Sequence, residues 1–247
     1  MTTGKIGFGI DLAGYTTGKS TIAFVEIDGR VVKATLLLDS AFSRKRKSSD
    51  SLREVLSEEA AVLRSCLEIG PVAVDIPIDL QGLPFPPNPE YIWQLTRRPI
   101  DYAVNAMPAL ADRIGAPVAR FAAIMREGNF DEQLGRNLFE AYPAGTLKML
   151  EIEAGSYKGP KGKAALTSLC ATLKIEPHVK TDDDIDAIIC AITAATAVDG
   201  VHDAAKLGIT GPLPRGFRIP NSLSFDKIQI LPPLSFENWI QKHAPAR

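Results

Sequence analysis

Carboxylates stand at points of the sequence where buried strands are expected. Asp11 follows the apolar run IGFGI, Asp75 lies inside VAVDIP, and Glu140 lies inside NLFEAY. A charged side chain in a buried strand is costly unless it pairs with an opposite charge or binds a metal ion. One such residue alone could cap a turn or pair with an arginine or lysine. Three of them at strand ends favour a shared chemical role.

A further group of acids opens the segment TDDDIDAIICAITAAT. Thr181 is placed to cap a helix, with Asp184 three residues later as its capping-box partner. Capping does not explain Asp186, which lies beyond the first turn and shares one helix face with Asp183. The residues that follow are apolar nearly all round, which indicates a buried helix. Two carboxylates at the start of such a helix repel each other unless a cation lies between them.

The ligand chemistry of these acids favours a hard cation. Oxygen ligands without Cys or His are typical of Mg²⁺ or Mn²⁺ sites. Two such ions, about 4 Å apart, can activate water and stabilise the leaving oxygen in phosphodiester cleavage. That chemistry needs a cluster of acids and no His or Cys nucleophile. The sequence contains no G-x-S-x-G motif, and its histidines lie in loop-like settings.

The segment AGYTTGKS, from Ala13 to Ser20, fits a relaxed P-loop pattern with alanine at the first glycine position. A true P-loop needs a helix to begin at the Lys-Ser end, because the helix amides hold the phosphate. Here Ser20 is followed by TIAFVEIDG, which is β-branched and lacks a helical period. We therefore predict a strand over Ser20–Asp28 and a hairpin turn before it.

Basic residues that could contact a substrate lie in loops. Lys158, Lys161 and Lys163 stand on a glycine-rich loop, which either holds a phosphate beside the acids or is simply a surface loop. Arg98 could line the same cleft or pair with Asp101. We take Lys163 and Arg98 as candidate substrate-binding residues. Because the formal charge is -1, any contact with nucleic acid must use a local basic patch.

The elements that position these residues follow the order β-β-β-α-β-α-β-α-α. Residues 5–39 contain three β-rich runs joined by short links, which predicts antiparallel hairpins. The later strands are reached through helices, so we predict an α/β fold with a mixed five-stranded sheet and helices on both faces. We expect one domain over 1–220, a proline-rich insertion or lid at about 80–117, and a C-terminal extension packed on the core at 221–247.

The cysteines and the N-terminus indicate a cytoplasmic protein. Cys66, Cys170 and Cys190 are odd in number and show no CxxC or Cys/His metal spacing, so buried free thiols are expected. The start, MTTGKIGFGID, has no apolar signal-peptide core, and no apolar run approaches the ~20 residues that cross a bilayer. We expect no membrane contact. The sequence does not indicate an oligomeric state.

Four motifs of the chain occur together in a known family. GIDLAG, AVDIPIDL, FEAYPA and DDDIDAIICAITAA stand in this order, and the chain resembles domain-of-unknown-function family 429 from about residue 5 to 200. That family is proposed to contain RNase H-like nucleases. The last helix also resembles that of RuvC-type Holliday-junction resolvases, in which D-x-x-D precedes a small, apolar helix.

The resemblance implies where the acids belong in an RNase H-like fold. The first and fourth strands of that fold are neighbours, so Asp11 and Asp75 would project side by side. Asp183 and Asp186 correspond to the acid pair of the last helix. Glu140 lies in a segment particular to the family and has no secure counterpart in the resolvases.

The expected function is therefore a metal-dependent nuclease that uses Mg²⁺ or Mn²⁺, with two ions possible. The expected metal ligands are Asp11, Asp75, Asp183 and Asp186, and the expected catalytic set adds Glu140. Two alternatives stay open. An actin-like ATP-dependent phosphotransferase would hold ATP phosphate with GIDLAGYTTGKST, although the chain is short for two such domains. A non-catalytic protein would keep the fold and bind a partner without metal.

Overall fold

The computed structural model describes residues 4–14, 20–47, 49–80, 96–103, 112–197 and 213–243. Its strands are β1 (Lys5–Asp11), β2 (Thr21–Asp28), β3 (Val31–Leu38), β4 (Val72–Val74), β5 (Leu138–Glu140), β6 (Ile175–Glu176) and β7 (Lys227–Ser235). Its α-helices are α1 (Leu52–Ile69), α2 (Pro99–Ala103), α3 (Asp112–Gly128), α4 (Pro143–Met149), α5 (Lys163–Thr172), α6 (Asp182–Ala195) and α7 (Phe236–His243).

These strands form one mixed sheet in the order β5-β4-β1-β2-β3-β7-β6. The first three strands are antiparallel, as predicted, and the remaining pairs are parallel. The α/β class is thus confirmed, but the sheet has seven strands and not five. The two additional strands, β6 and β7, lie beyond β3.

β7 was missed because its sequence, KIQILPPLS, carries two adjacent prolines. Proline cannot donate a ladder hydrogen bond and is normally confined to edges or bulges. β6 pairs only with Ile228 and Gln229, so the later half of β7 has no partner on that side among the described residues. The β3–β7 register also shifts between Thr35 and Leu37, where the prolines lie opposite. The predicted C-terminal extension therefore contributes a strand to the sheet.

Helices cover both faces of the sheet, as predicted. On one face, Phe8 and Phe24 pack in a core with residues of α1, α3 and α7. Trp239 of α7 is 2% exposed, and its ring centroid lies 4.5 Å from that of Phe24. On the other face, Ala23 and Val25 pack against α5 and α6. The three cysteines are buried and free, which confirms that prediction.

The strand predicted at Ser20–Asp28 is confirmed by β2, in which Thr21 pairs with Asp11. No helix begins at Ser20, so the P-loop interpretation of AGYTTGKS is excluded, while residues 15–19 lie outside the described part of the chain. Within the predicted insertion at 80–117, residues 81–95 and 104–111 are likewise outside it. No helix among the described residues is long and apolar enough to cross a membrane.

Glycine lets α6 lie directly against β1. A Cβ atom added to Gly9 would lie 1.9 Å from the backbone oxygen of Ala187, and one added to Gly7 would lie 2.4 Å from the backbone nitrogen of Ala195. Real Cβ atoms do not approach other atoms so closely, so only glycine fits at these two positions. This contact brings the first turns of α6 to the C-terminal end of β1.

Candidate metal centre

Three of the predicted acids meet at this end of the sheet. Asp11, Asp75 and Asp186 each offer a carboxylate oxygen, and these oxygens all lie within 4.8 Å of one another. Asp186 is almost fully buried, and the other two acids are partly buried. We call these three residues the acidic triad.

Strand alternation places the two strand acids of the triad. Asp11 lies on the same face of β1 as Gly9, so it faces α6. Ile10 pairs with Val74 across the parallel β1–β4 ladder, and the backbone N–H of Asp75 donates to the carbonyl of Ile10 at 2.9 Å. Asp11 and Asp75 therefore leave neighbouring strand ends on the same face of the sheet.

The helix start fixes the third acid. The hydroxyl of Thr181 accepts from the backbone N–H of Asp184, and the carboxylate of Asp184 accepts from the backbone N–H of Thr181, both at 3.1 Å. This capping box is the one predicted from the sequence, and it sets the register of α6. Asp186 then falls in the second turn, on the side facing β1.

Burial and mutual repulsion raise the pKa values of the triad. Burial is the largest cause for Asp11, followed by the charges of Asp75 and Asp186. Burial also raises the pKa of Asp75 to about 7, against a lowering by Lys158 and with further raising by Asp186 and Glu140. The triad therefore concentrates negative charge that is not fully balanced, which is the condition a cation relieves.

Two adjacent residues of the loop before α5 engage Asp186. The hydroxyl of Tyr157 donates to Asp186 Oδ1 at 2.6 Å. The ammonium of Lys158 contacts Asp186 Oδ2 and lies 4.0 Å from Asp75 Oδ2. Burial acts to lower the pKa of Lys158, but the charges of Asp75 and Asp186 outweigh it and raise that pKa. These contacts therefore favour the charged form of Lys158 beside the triad.

Asp183 and Lys163 lie beside the triad and not in it. Both line an open cleft of about 630 Å³ together with Tyr157 and Thr21. The charge of Asp183 adds slightly to the raised pKa of Asp11. The predicted fourth ligand and the predicted substrate lysine thus share one cleft next to the acids.

Glu140 and Arg98 form a separate buried cluster. The guanidinium of Arg98 donates to both carboxylate oxygens of Glu140, at 2.7 and 2.9 Å, and to Asp101 Oδ1 at 2.9 Å. Glu140 also accepts from the backbone N–H of Ile78 at 2.8 Å. Arg98 is 2% exposed. The pairing of Arg98 with Asp101 was one of the two alternatives drawn from the sequence, and both oxygens of Glu140 have structural partners.

This cluster still adjoins the triad. Glu140, Arg98 and Asp75 line the same small cavity, and the charge of Glu140 contributes to the raised pKa of Asp75. The catalytic role predicted for Glu140 and the substrate-binding role predicted for Arg98 remain predictions. What the geometry shows is a buried ion pair that supports the strand end carrying Asp75.

Sequence reasoning missed Tyr157 and the contact of Lys158 with the triad. The backbone N–H of Gly159 donates to Asp182 Oδ2 at 2.8 Å, which ties this loop to the start of α6. Such a contact joins residues more than twenty positions apart and leaves no periodic signal. The available hint was a set of loop lysines close in sequence to glycines, for which phosphate binding was one of two interpretations.

The donor set fits a hard divalent cation. All three triad ligands are carboxylate oxygens, and no other group of metal-ligating side chains is found among the described residues. Oxygen-only sites of this kind suit Mg²⁺ or Mn²⁺ and not the softer metals that thiolate and imidazole prefer.

Comparison with known proteins places the chain in one family. No curated protein and no solved structure matches it. A family model described as "Protein of unknown function (DUF429)" matches residues 9–205. The matched region contains the whole acidic triad and the loop that carries Tyr157 and Lys158. The chain therefore belongs to this family of unknown function.

Proposed function

We propose that this protein is a metal-dependent nuclease that hydrolyses a phosphodiester bond. The observation that carries the proposal is the convergence of Asp11, Asp75 and Asp186, whose carboxylate oxygens lie within 4.8 Å of one another. One buried and two partly buried acids on three different segments are costly to keep together without a cation. A bound Mg²⁺ or Mn²⁺ would activate water and neutralise the charge that develops on the phosphate.

The sheet order supports an RNase H-like fold as part of this proposal. Strands β3-β2-β1-β4-β5 are consecutive in the sheet, the first three in sequence are antiparallel, and β4 and β5 run parallel to β1. β1 and β4 are neighbours, which the family resemblance implies. On this interpretation β7 and β6 extend the sheet beyond β3.

The residues around the triad have distinct proposed tasks. Tyr157 orients Asp186 by holding one of its carboxylate oxygens. Lys163 and Asp183 both line the neighbouring cleft. The cleft therefore offers a basic group that would bind a phosphate and a carboxylate that would act as a further metal ligand. We propose that a nucleic acid strand approaches through this cleft, because its wall contains Thr21, the strand partner of Asp11, and Tyr157, which donates to Asp186.

The proposal is tested with purified protein and labelled single-stranded, duplex, hybrid and four-way-junction substrates. We expect cleavage with Mg²⁺ or Mn²⁺ and none in EDTA. Asp11→Asn and Asp186→Asn should each lower the rate at least about 100-fold. Asp28→Asn is the matched control, since Asp28 is exposed at the opposite end of β2 from the triad. Cleavage that survives EDTA or either triad substitution would refute the proposal.

Asp75→Asn should have opposite effects with and without metal. In EDTA at pH 8 we expect a melting temperature higher by about 2–6 °C, because the substitution removes one repelling charge and preserves side-chain shape. With millimolar Mn²⁺ the wild type should become the more stable protein, since the variant has lost a ligand. If the difference between the two proteins is the same in both buffers, Asp75 is not a metal ligand.

The difference in stability between Asp75→Asn and the wild type in EDTA should also depend on pH. The pKa of Asp75 is raised to about 7 in the folded chain, whereas an unfolded aspartate titrates near ~3.9. Between these values the folded state binds more protons, so the wild type loses stability as pH rises. Asn does not titrate. The advantage of Asp75→Asn should therefore be near zero at pH 4, grow towards pH 7 and level off above it.

A further inference from the structure

We infer that the centre binds a single divalent cation and that the ammonium of Lys158 takes the place of a second one. This inference rests on the proposed metal centre and specifies how many ions it holds. Two-metal nuclease sites place both ions among shared carboxylates. In this chain one of the cation positions is filled by a side chain.

Lys158 occupies a position that a second cation would take. Its ammonium contacts Asp186 Oδ2 and lies 4.0 Å from Asp75 Oδ2, so it sits between two of the three triad carboxylates. The other oxygen of Asp186 is held by the hydroxyl of Tyr157 at 2.6 Å. Both oxygens of Asp186 therefore have a partner already, and a metal ion entering the triad relies mainly on Asp11 and Asp75.

The charges of the centre also favour a single divalent cation. The three carboxylates of the triad supply three negative charges, and the ammonium of Lys158 balances one of them. One divalent cation then makes the group neutral. Two divalent cations together with Lys158 would leave an excess of two positive charges among buried groups, which is strongly unfavourable. Glu140 adjoins the centre, but both of its carboxylate oxygens accept hydrogen bonds from Arg98, so neither is free to bind a second ion.

The loop that contains Lys158 is anchored on both sides of this residue. Tyr157 is 3% exposed and bonded to Asp186, and the backbone N–H of Gly159 donates to Asp182 at 2.8 Å. The residues on both sides of Lys158 are thus fixed to α6, which holds the lysine at the triad. About half of its side chain is exposed, so it also faces the open side of the site.

The test counts Mn²⁺ ions by equilibrium dialysis and measures their affinity. The wild type should bind one Mn²⁺ per chain. Lys158→Met, which keeps the length of the side chain and removes its charge, should bind the first ion at least about tenfold more tightly and gain a second. Lys158→Arg, which keeps the charge, should still bind one. Lys161→Met is the matched control on the same loop and should behave as the wild type.

Two Mn²⁺ ions in the wild type, or one ion of unchanged affinity in Lys158→Met, would overturn the inference. The wild-type count decides even if Lys158→Met does not fold. Failure of the proposed function is a separate result. If the wild type binds one ion and Lys158→Met gains a second, but no substrate is cleaved, the inference is retained and the nuclease proposal is refuted. If the wild type cleaves a substrate and binds two ions, the nuclease proposal is retained and the single-ion inference is refuted. No Mn²⁺ binding at all would remove both.

Discussion

Arg98→Met is expected to lower the free energy of unfolding by about 3–5 kcal/mol, because two buried carboxylates would lose the cation that pairs with them. Glu140 and Asp101 are each about 3% exposed at their side chains, and both are paired with Arg98. Burial acts to lower the pKa of Arg98, but these acids outweigh it and raise that pKa, so the group is always charged. Methionine would fill the space of the arginine without supplying any of its hydrogen bonds.

The matched control is Arg44→Met. Arg44 pairs with Glu58 at 3.3 Å, but both side chains are about half exposed, with relative exposures of 52% and 45%. An exposed ion pair contributes less than about 1 kcal/mol, since water solvates both charges. Urea denaturation of the two variants and the wild type measures both effects. Equal losses for Arg98→Met and Arg44→Met would show that the buried cluster is not what stabilises this region.

The same cluster allows the two roles of Glu140 to be separated. If Glu140 is catalytic, Glu140→Gln should abolish cleavage and leave the unfolding free energy unchanged. We expect the reverse, a loss of stability with cleavage retained, because Arg98 donates to both oxygens of Glu140 and glutamine offers only one acceptor in their place. A clear loss of stability with retained cleavage would assign Glu140 to support of the strand end that carries Asp75.

Local patterns predicted the parts of the fold that depend on neighbouring residues. The first three strands show alternation and short links, and the start of α6 carries a capping box, so both could be read directly. The placement of Asp11 beside Asp75 came from the family resemblance, since no local pattern says which strands are neighbours. The structure brings these two acids together with Asp186 and leaves Asp183 in the adjoining cleft.

The parts that could not be predicted depend on contacts between distant segments. Lys158 meets Asp186 only because its loop folds back on α6, and Arg98 meets Glu140 across 42 positions of sequence. β7 was hidden for a different reason, since its two prolines contradict the usual composition of a strand. In the first two cases a long-range contact decides which side chains meet, and a single sequence does not show that contact.

Gly9→Ala should damage both the fold and the metal centre. The added Cβ would lie 1.9 Å from the backbone oxygen of Ala187 and 2.3 Å from the backbone nitrogen of Ala191, and neither atom can rotate away. α6 must then move off β1, which we expect to cost about 3 kcal/mol or more. The same movement separates Asp186 from Asp11, so Mn²⁺ affinity should fall at least about tenfold.

Gly14→Ala provides the matched control for this prediction. A Cβ added to Gly14 meets no heavy atom within 4 Å, so we expect a change of at most about 0.5 kcal/mol and unchanged Mn²⁺ affinity. Urea denaturation in EDTA measures the stability of both variants, and dialysis against Mn²⁺ measures binding under conditions where each is folded. If Gly9→Ala is destabilised but binds Mn²⁺ as the wild type does, the contact between β1 and α6 stabilises the fold without setting the geometry of the triad. If neither quantity changes, the backbone of α6 does not lie directly against β1, and the route by which Asp186 reaches Asp11 is wrong.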